Sequence, residues 1–304
     1  MRNWKRITGC GRSFACLAGS LFLATITFGG QSDARNDSTK YPGLAPIREY
    51  IFKSWDTLTR SMEDCSTVVD SKLAENSVLY LPADFATPSN VEELQKRCHV
   101  QVKNLPKKIT GPGQIDTTAL SPQGLLYLEH KYVVPGGRFN EMYGWDSYFI
   151  VRGLLQDGKI DLAKGMVENF FFEIEHYGSI LNANRSYYLS RSQPPFLTSM
   201  ILGVYEAEKG AGHEDKKWLE RAYQYAKKDQ AMWVREPHLA ADTGLSRYYD
   251  FGDMPAPESL KDETECARAR PEPTRLWARA IPCKSATKPA PWSARAATTR
   301  KRSR

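Results

Sequence analysis

Residues 135 to 150 crowd glycines, a guanidinium, two carboxylates and several aromatic rings into sixteen positions. That mixture suits a neutral, hydroxyl-rich ligand. Gly136 and Gly137 let the backbone turn and approach a ligand closely. Arg138 offers a planar fork of donors to hydroxyls or carboxylates. Trp145 and Asp146 complete a sugar-type pair, because an indole face covers the apolar CH side of a pyranose while a carboxylate accepts from its hydroxyls. A plainer reading is a glycine turn leading into an amphipathic helix with buried aromatic rings.

A second block runs from Ile180 to Phe196 and is dense in amide and guanidinium groups: Asn182, Asn184, Arg185, Arg191 and Gln193, with Ser192 and two prolines behind them. A looser third segment covers Asp242 to Asp250 and continues through Pro255, Ala256, Pro257 and Glu258. In order and spacing, the stretch from Pro135 to Tyr148 and the run ending Arg191-Ser192-Gln193-Pro194-Pro195-Phe196 resemble the two signature motifs of the α,α-trehalases, glycoside hydrolase family 37. The resemblance covers about Tyr41 to Glu265. In the third block the family commonly has Arg-Pro-Glu, and Ala256 stands where the Arg is expected.

The resemblance implies an all-α fold, the (α/α)6 toroid of the six-hairpin glycosidases. Two concentric helix rings there place the connecting loops around a central sugar pocket. It also implies hydrolysis of trehalose to two glucose molecules with inversion, without cofactor or metal. The positions carried over by motif are sugar ligands: Arg138, Trp145, Asp146, Asn182, Arg191, Ser192, Gln193 and, more weakly, Glu258. Inversion needs two carboxyl groups roughly 6.5 to 9.5 Å apart, one protonating the leaving oxygen and one activating water. In the family the acid lies in a Ser-Gly-x-Asp motif, which is absent from these 304 residues, and the base is a later Glu. No catalytic residue is therefore expected in this chain, and the expectation is a truncated or frameshifted, inactive trehalase. The alternative is a non-catalytic remnant that binds trehalose or glucose. On residue chemistry alone Glu141, Asp146, Asp242 and Asp250 are acid or base candidates. The resemblance gives Asp146 to the substrate and leaves the other three structural, and a plainer reading has a buried Glu141 or Asp146 neutralising Arg138 as a structural pair.

The elements that must position these groups read as helices. Pro46 to Glu63, Val91 to Cys98 with Ser89 as its cap, Asp146 to Leu155, Asp161 to His176, Gln193 to Glu208 and Asp215 to Val234 carry apolar residues near helical spacing. Leu162, Met166, Val167, Phe170 and Phe171 form one such stripe, and Phe196, Met200, Ile201, Val204 and Tyr205 another. No convincing alternating strand run separates these helices.

Charge and cysteines narrow the function further. The chain carries a net +7, but residues 261 to 304 hold twelve Lys or Arg against four Asp or Glu, leaving −1 for residues 1 to 260. The folded part thus has no electrostatic footprint for nucleic acid. Residues 1 to 34 pair a basic start with an apolar run from Phe14 to Phe28 and a small, polar end, which is the pattern of a signal peptide. The expectation is a periplasmic or secreted protein with no stable membrane association after cleavage, because the run is short of the ~20 residues that span a bilayer. The domain is then 35 to 265, and residues 266 to 304 are a basic low-complexity tail. Cys65 and Cys98 suit either a disulfide or two buried thiols, and no cysteine shows metal-ligand spacing.

Overall fold

The computed structural model describes residues 42–69 and 77–252. The segments 1–34 and 266–304, and Glu258, lie outside the described residues. The chain divides into units 1–49 and 50–304. In the first, the described residues form the 3-10 turn Pro42–Leu44 and the opening of α1 (Ala45–Leu58), a helix that straddles the boundary.

The second unit holds the helices that carry the motifs. They are α4 (Asp146–Gln156), α5 (Ile160–His176), α6 (Leu197–Gly210) and α7 (Lys216–Trp233). Helices α4, α5 and α6 pack on one another, and α7 packs on α5 and α6. The packing follows from periodicity. On α5 the residues at 163, 166, 167, 170, 171 and 174 are buried, a repeat of three and four that makes one apolar face. Phe171 stacks on Tyr225 of α7 with ring centroids 4.6 Å apart, which extends that face to the next helix. Asp215 caps α7, its carboxylate accepting from the Trp218 N–H at 2.9 Å.

Boundaries move where local chemistry competes. The helix expected from Gln193 starts at Leu197, because Pro194 and Pro195 lack the amides a helix interior needs. The helix expected to reach Glu63 stops at Leu58. There Thr59–Arg60 leave it as β1, pairing antiparallel with β5 (Tyr132–Val133). Pro88, not Ser89, occupies the cap position of α3 (Ser89–Cys98). His99 ends that helix at φ 54°, and a disulfide joins Cys98 to Cys65 at the start of α2 (Cys65–Val68) with Cα atoms 5.2 Å apart.

A three-stranded parallel sheet also precedes the motif helices. Its order is β3 (Gln101–Asn104), β2 (Val78–Leu81), β4 (Leu125–Leu126). All four residues of β2 are buried, so the strand reads as a continuous apolar run without alternation. Gly124 precedes β4 so closely that a Cβ there would lie 2.2 Å from the Val78 carbonyl oxygen. A short hairpin, β6 (Leu239–Ala240) with β7 (Leu245–Ser246), follows α7.

Candidate functional site

The first block ends at the start of α4, with Trp145 in the cap position and Asp146 opening the helix. The second block fills the connection between α5 and α6, so both blocks emerge on neighbouring helix ends. Main-chain bonds lace them together. Tyr143 and Ala183 form an antiparallel bridge, and the Gly144 N–H donates to the Asn182 carbonyl at 3.0 Å. The Asn182 N–H in turn donates to the Arg191 carbonyl at 2.9 Å. The Gln193 side-chain carbonyl accepts the Trp145 N–H at 2.7 Å, fixing the indole relative to the second block.

Gly144 is required by this closeness rather than by its φ. A Cβ added there would meet the Leu181 carbonyl oxygen at 2.8 Å and Gln193 Oε1 at 3.0 Å. Asn184 clamps from below, its amide accepting from the Met142 N–H at 2.8 Å and donating to the Leu126 carbonyl at 2.9 Å. The third block joins through Asp250, which bridges to Arg191 in the backbone and pairs with its guanidinium at 2.6 Å. Asn182 reaches toward the same block, donating to the Tyr248 hydroxyl at 3.4 Å.

The candidate ligands differ in how they face solvent. Trp145 is 43% exposed, and its ring meets Phe149 edge-on. Arg138 is exposed, its guanidinium 5.1 Å above the Phe139 ring, which itself packs edge-on against Tyr143. Asp146 is half-buried, and burial holds its carboxyl above the usual range despite a bond from its own backbone. Asn182, Arg191 and Gln193 are partly exposed. Ser192 departs from the expectation of a sugar contact. It is 2% exposed, and its hydroxyl lies 3.4 Å from His238 Nε2.

Two carboxylates outside the ligand set explain why the site keeps its shape. Glu141 is wholly buried and pairs with the buried Arg185, which donates through Nε at 2.7 Å, while the Asn140 N–H donates to its second oxygen at 2.9 Å. The partner expected for such an acid was an arginine close in sequence, Arg138. The structure instead supplies one from the second block. Glu173 of α5 was not singled out by sequence. It is wholly buried, and its Oε2 accepts from the Leu181 N–H at 3.0 Å, immediately before Asn182. Burial pushes its carboxyl up to about 8, against the lowering effect of that bond. The signal available in sequence was an acid placed on an apolar stripe.

A cleft of about 580 Å³ opens elsewhere, lined by Ser179, Asp229, Met232, His238 and Phe251 among others, and none of the motif candidates lines it. Burial raises the Asp229 carboxyl to about 6 there. Among the described residues no group of three or more His, Cys, Asp or Glu has the arrangement to hold a metal ion, and no helix is long and apolar enough to cross a membrane.

The helical scaffold thus carries an indole, amides, guanidinium groups and a half-buried carboxylate on connections laced together by hydrogen bonds, a polar and aromatic class of site. The comparisons sharpen that class. A family model described as Trehalase matches residues 53–280. The cytosolic neutral trehalase of Saccharomyces cerevisiae is 41% identical over 237 residues, covering 68% of this chain and 31% of that protein. A probable trehalase of Eremothecium gossypii is 43% identical over 241 residues, covering 68% and 32%. The solved structure of neutral trehalase Nth1 from Saccharomyces cerevisiae superposes with a TM-score of 0.63 at 37% identity, covering 73% of this chain and 45% of that one. This chain belongs to the trehalase family, and its fold is the all-α (α/α)6 type. It spans about a third of the length of the curated relatives it matches.

The comparisons also correct the location. Relatives from Saccharomyces cerevisiae and Kluyveromyces lactis are named cytosolic neutral trehalases, which overturns the periplasmic or secreted assignment drawn from residues 1 to 34. A basic start followed by a short apolar run is a compositional pattern, and composition alone does not fix an address.

Proposed function

We propose that the two laced blocks grip trehalose, and that this chain holds the disaccharide without cleaving it. The observation that carries the reading is the main-chain lacing of residues 142–146 to 181–193. It ties the stretch that carries Trp145 and Asp146 to the stretch that carries Asn182 and Gln193, and each of these four residues is at least partly exposed. Arg138 and Arg191 would add donors, and Glu258 belongs to the same proposed ligand set. Trp145 covers a pyranose face, Asp146 accepts from hydroxyls, and the amides of Asn182 and Gln193 both donate and accept.

The inactivity half of the proposal rests on carboxylate accounting. Among the four acidic candidates, Glu141 is committed to Arg185 and Asp250 to Arg191, while Asp242 lies exposed in the β6–β7 turn, so we assign Asp146 no opposed acid of the kind that inversion requires. Placed in a polypeptide that supplies both acids, the same grip would serve trehalose hydrolysis to two glucose molecules. Calorimetry with trehalose and a glucose-release assay on the purified chain test the two halves separately. Binding without release above a no-enzyme control is the expected result. Release above that control overturns the inactivity claim, and no heat up to high millimolar trehalose overturns the grip.

A further inference from the structure

Arg138 is exposed and sits on a glycine-rich turn, yet a donor aimed at a sugar needs a fixed origin. The turn is fixed from outside by Arg60, which lies 78 positions earlier in β1. Its Nη2 donates to the Gly137 carbonyl at 3.2 Å and its Nε to the Phe139 carbonyl at 3.2 Å, the carbonyls on either side of Arg138. The same guanidinium is anchored at its back, Nη1 donating to the carbonyls of Thr57 at 3.0 Å and Thr59 at 3.1 Å. Resting on the proposed sugar grip, we infer that Arg60 is a positioning residue that sets Arg138 for the ligand by bracketing its two flanking carbonyls.

The chemistry favours a fork. A guanidinium presents five N–H groups in a rigid plane, so one side chain spans four carbonyls belonging to two strands of chain. A lysine ammonium is a compact point charge on a flexible stem and cannot span Gly137 and Phe139 together. Other ties hold the turn as well: the Phe139 N–H donates to the Gly136 carbonyl at 2.9 Å, the Phe139 ring packs edge-on against Tyr143, the Tyr132 hydroxyl donates to the Asn140 carbonyl at 2.7 Å, and the Asn140 side chain donates to the Thr67 carbonyl at 2.8 Å. Removing the bracket therefore releases the carbonyls of Gly137 and Phe139 and loosens the turn between them, while those other ties and the β1–β5 pairing stay.

Hydrogen exchange and calorimetry on the full chain decide this. In R60M the Phe139 amide, protected by its bond to Gly136, is expected to exchange about tenfold faster than in the wild type, consistent with opening of a local unit alone. Trehalose affinity is expected to fall about tenfold, with R60M/R138A no weaker than R138A, because a residue acting through another shows full coupling in a double-mutant cycle. R60K, which keeps the charge and covers failure of R60M to fold, is expected to accelerate the same amide. Unchanged Phe139 exchange in both variants overturns the inference whether or not trehalose binds. Additive losses in the cycle overturn it as well. Absence of trehalose binding by the wild type overturns the grip alone and leaves the exchange test standing.

Discussion

Replacing Glu173 by Gln tests whether a buried neutral acid supports the second sugar block. The folded-state value near 8 stands above the ordinary 4.5, so between those values the folded chain keeps a proton that the unfolded chain has lost. Stability linked to this group is fully present below about 4.5 and is lost as pH rises through about 8. At about 1.4 kcal/mol per unit, the whole span amounts to roughly 4 to 5 kcal/mol. Other groups must be kept out of the window. Asp229, raised to about 6, has completed its own loss by then. His176 and His238 are held low by burial, act with the opposite sign and saturate near their ordinary value of 6.5. Urea denaturation followed by tryptophan fluorescence should therefore show wild-type stability falling by about 1 kcal/mol between pH 7 and 8, less than the full slope because the folded group itself begins to ionise there. The fall should flatten toward pH 9. Glu173→Gln keeps an oxygen for the Leu181 N–H and cannot ionise, so its profile over that window should be flat. An equal slope in wild type and variant would refute the argument.

Glu141→Ala strands the buried Arg185 and should lower unfolding free energy by roughly 3 to 5 kcal/mol in denaturant titrations. Gly144→Ala must push the Leu181 carbonyl away, costing about 1 to 3 kcal/mol; a wild-type melting temperature in this variant would show that the two blocks are not in contact there. Trehalose affinity should decline as pH falls through the raised value of Asp146, because only the carboxylate accepts from two hydroxyls, and Asp146→Asn should bind with a pH-independent constant in calorimetry. Ser192→Ala should leave that affinity within about twofold, since no contact to the sugar is lost. A tenfold loss would place its hydroxyl on the ligand rather than on His238.

What could be read without coordinates was local. The stripes on α5 and α6 repeat every three to four residues, and a helix buries one side of itself, so Met166, Phe170, Met200 and Val204 declared both element and core. Motif order along the chain likewise marked the two blocks that main-chain bonds bring together, because amides, guanidinium groups and rings are concentrated there in few positions. Partnerships across distance had no such signature. Glu141 meets Arg185 44 residues on, Ser192 meets His238 46 residues on, and Arg60 reaches 77 and 79 residues to Gly137 and Phe139. Each of these depends on how helices and strands pack, and many chains with the same local pattern could satisfy those charges otherwise. The parallel sheet was hidden for a related reason: a strand buried on all sides shows no alternation, so Val78–Leu81 looks in sequence like any short apolar run until Gln101–Asn104 and Leu125–Leu126 lie beside it. Sequence alone thus determined which helices form and which polar groups their connections carry. Tertiary packing decided which acids are spent on arginines, which serine turns inward, and which remote guanidinium holds the turn in place.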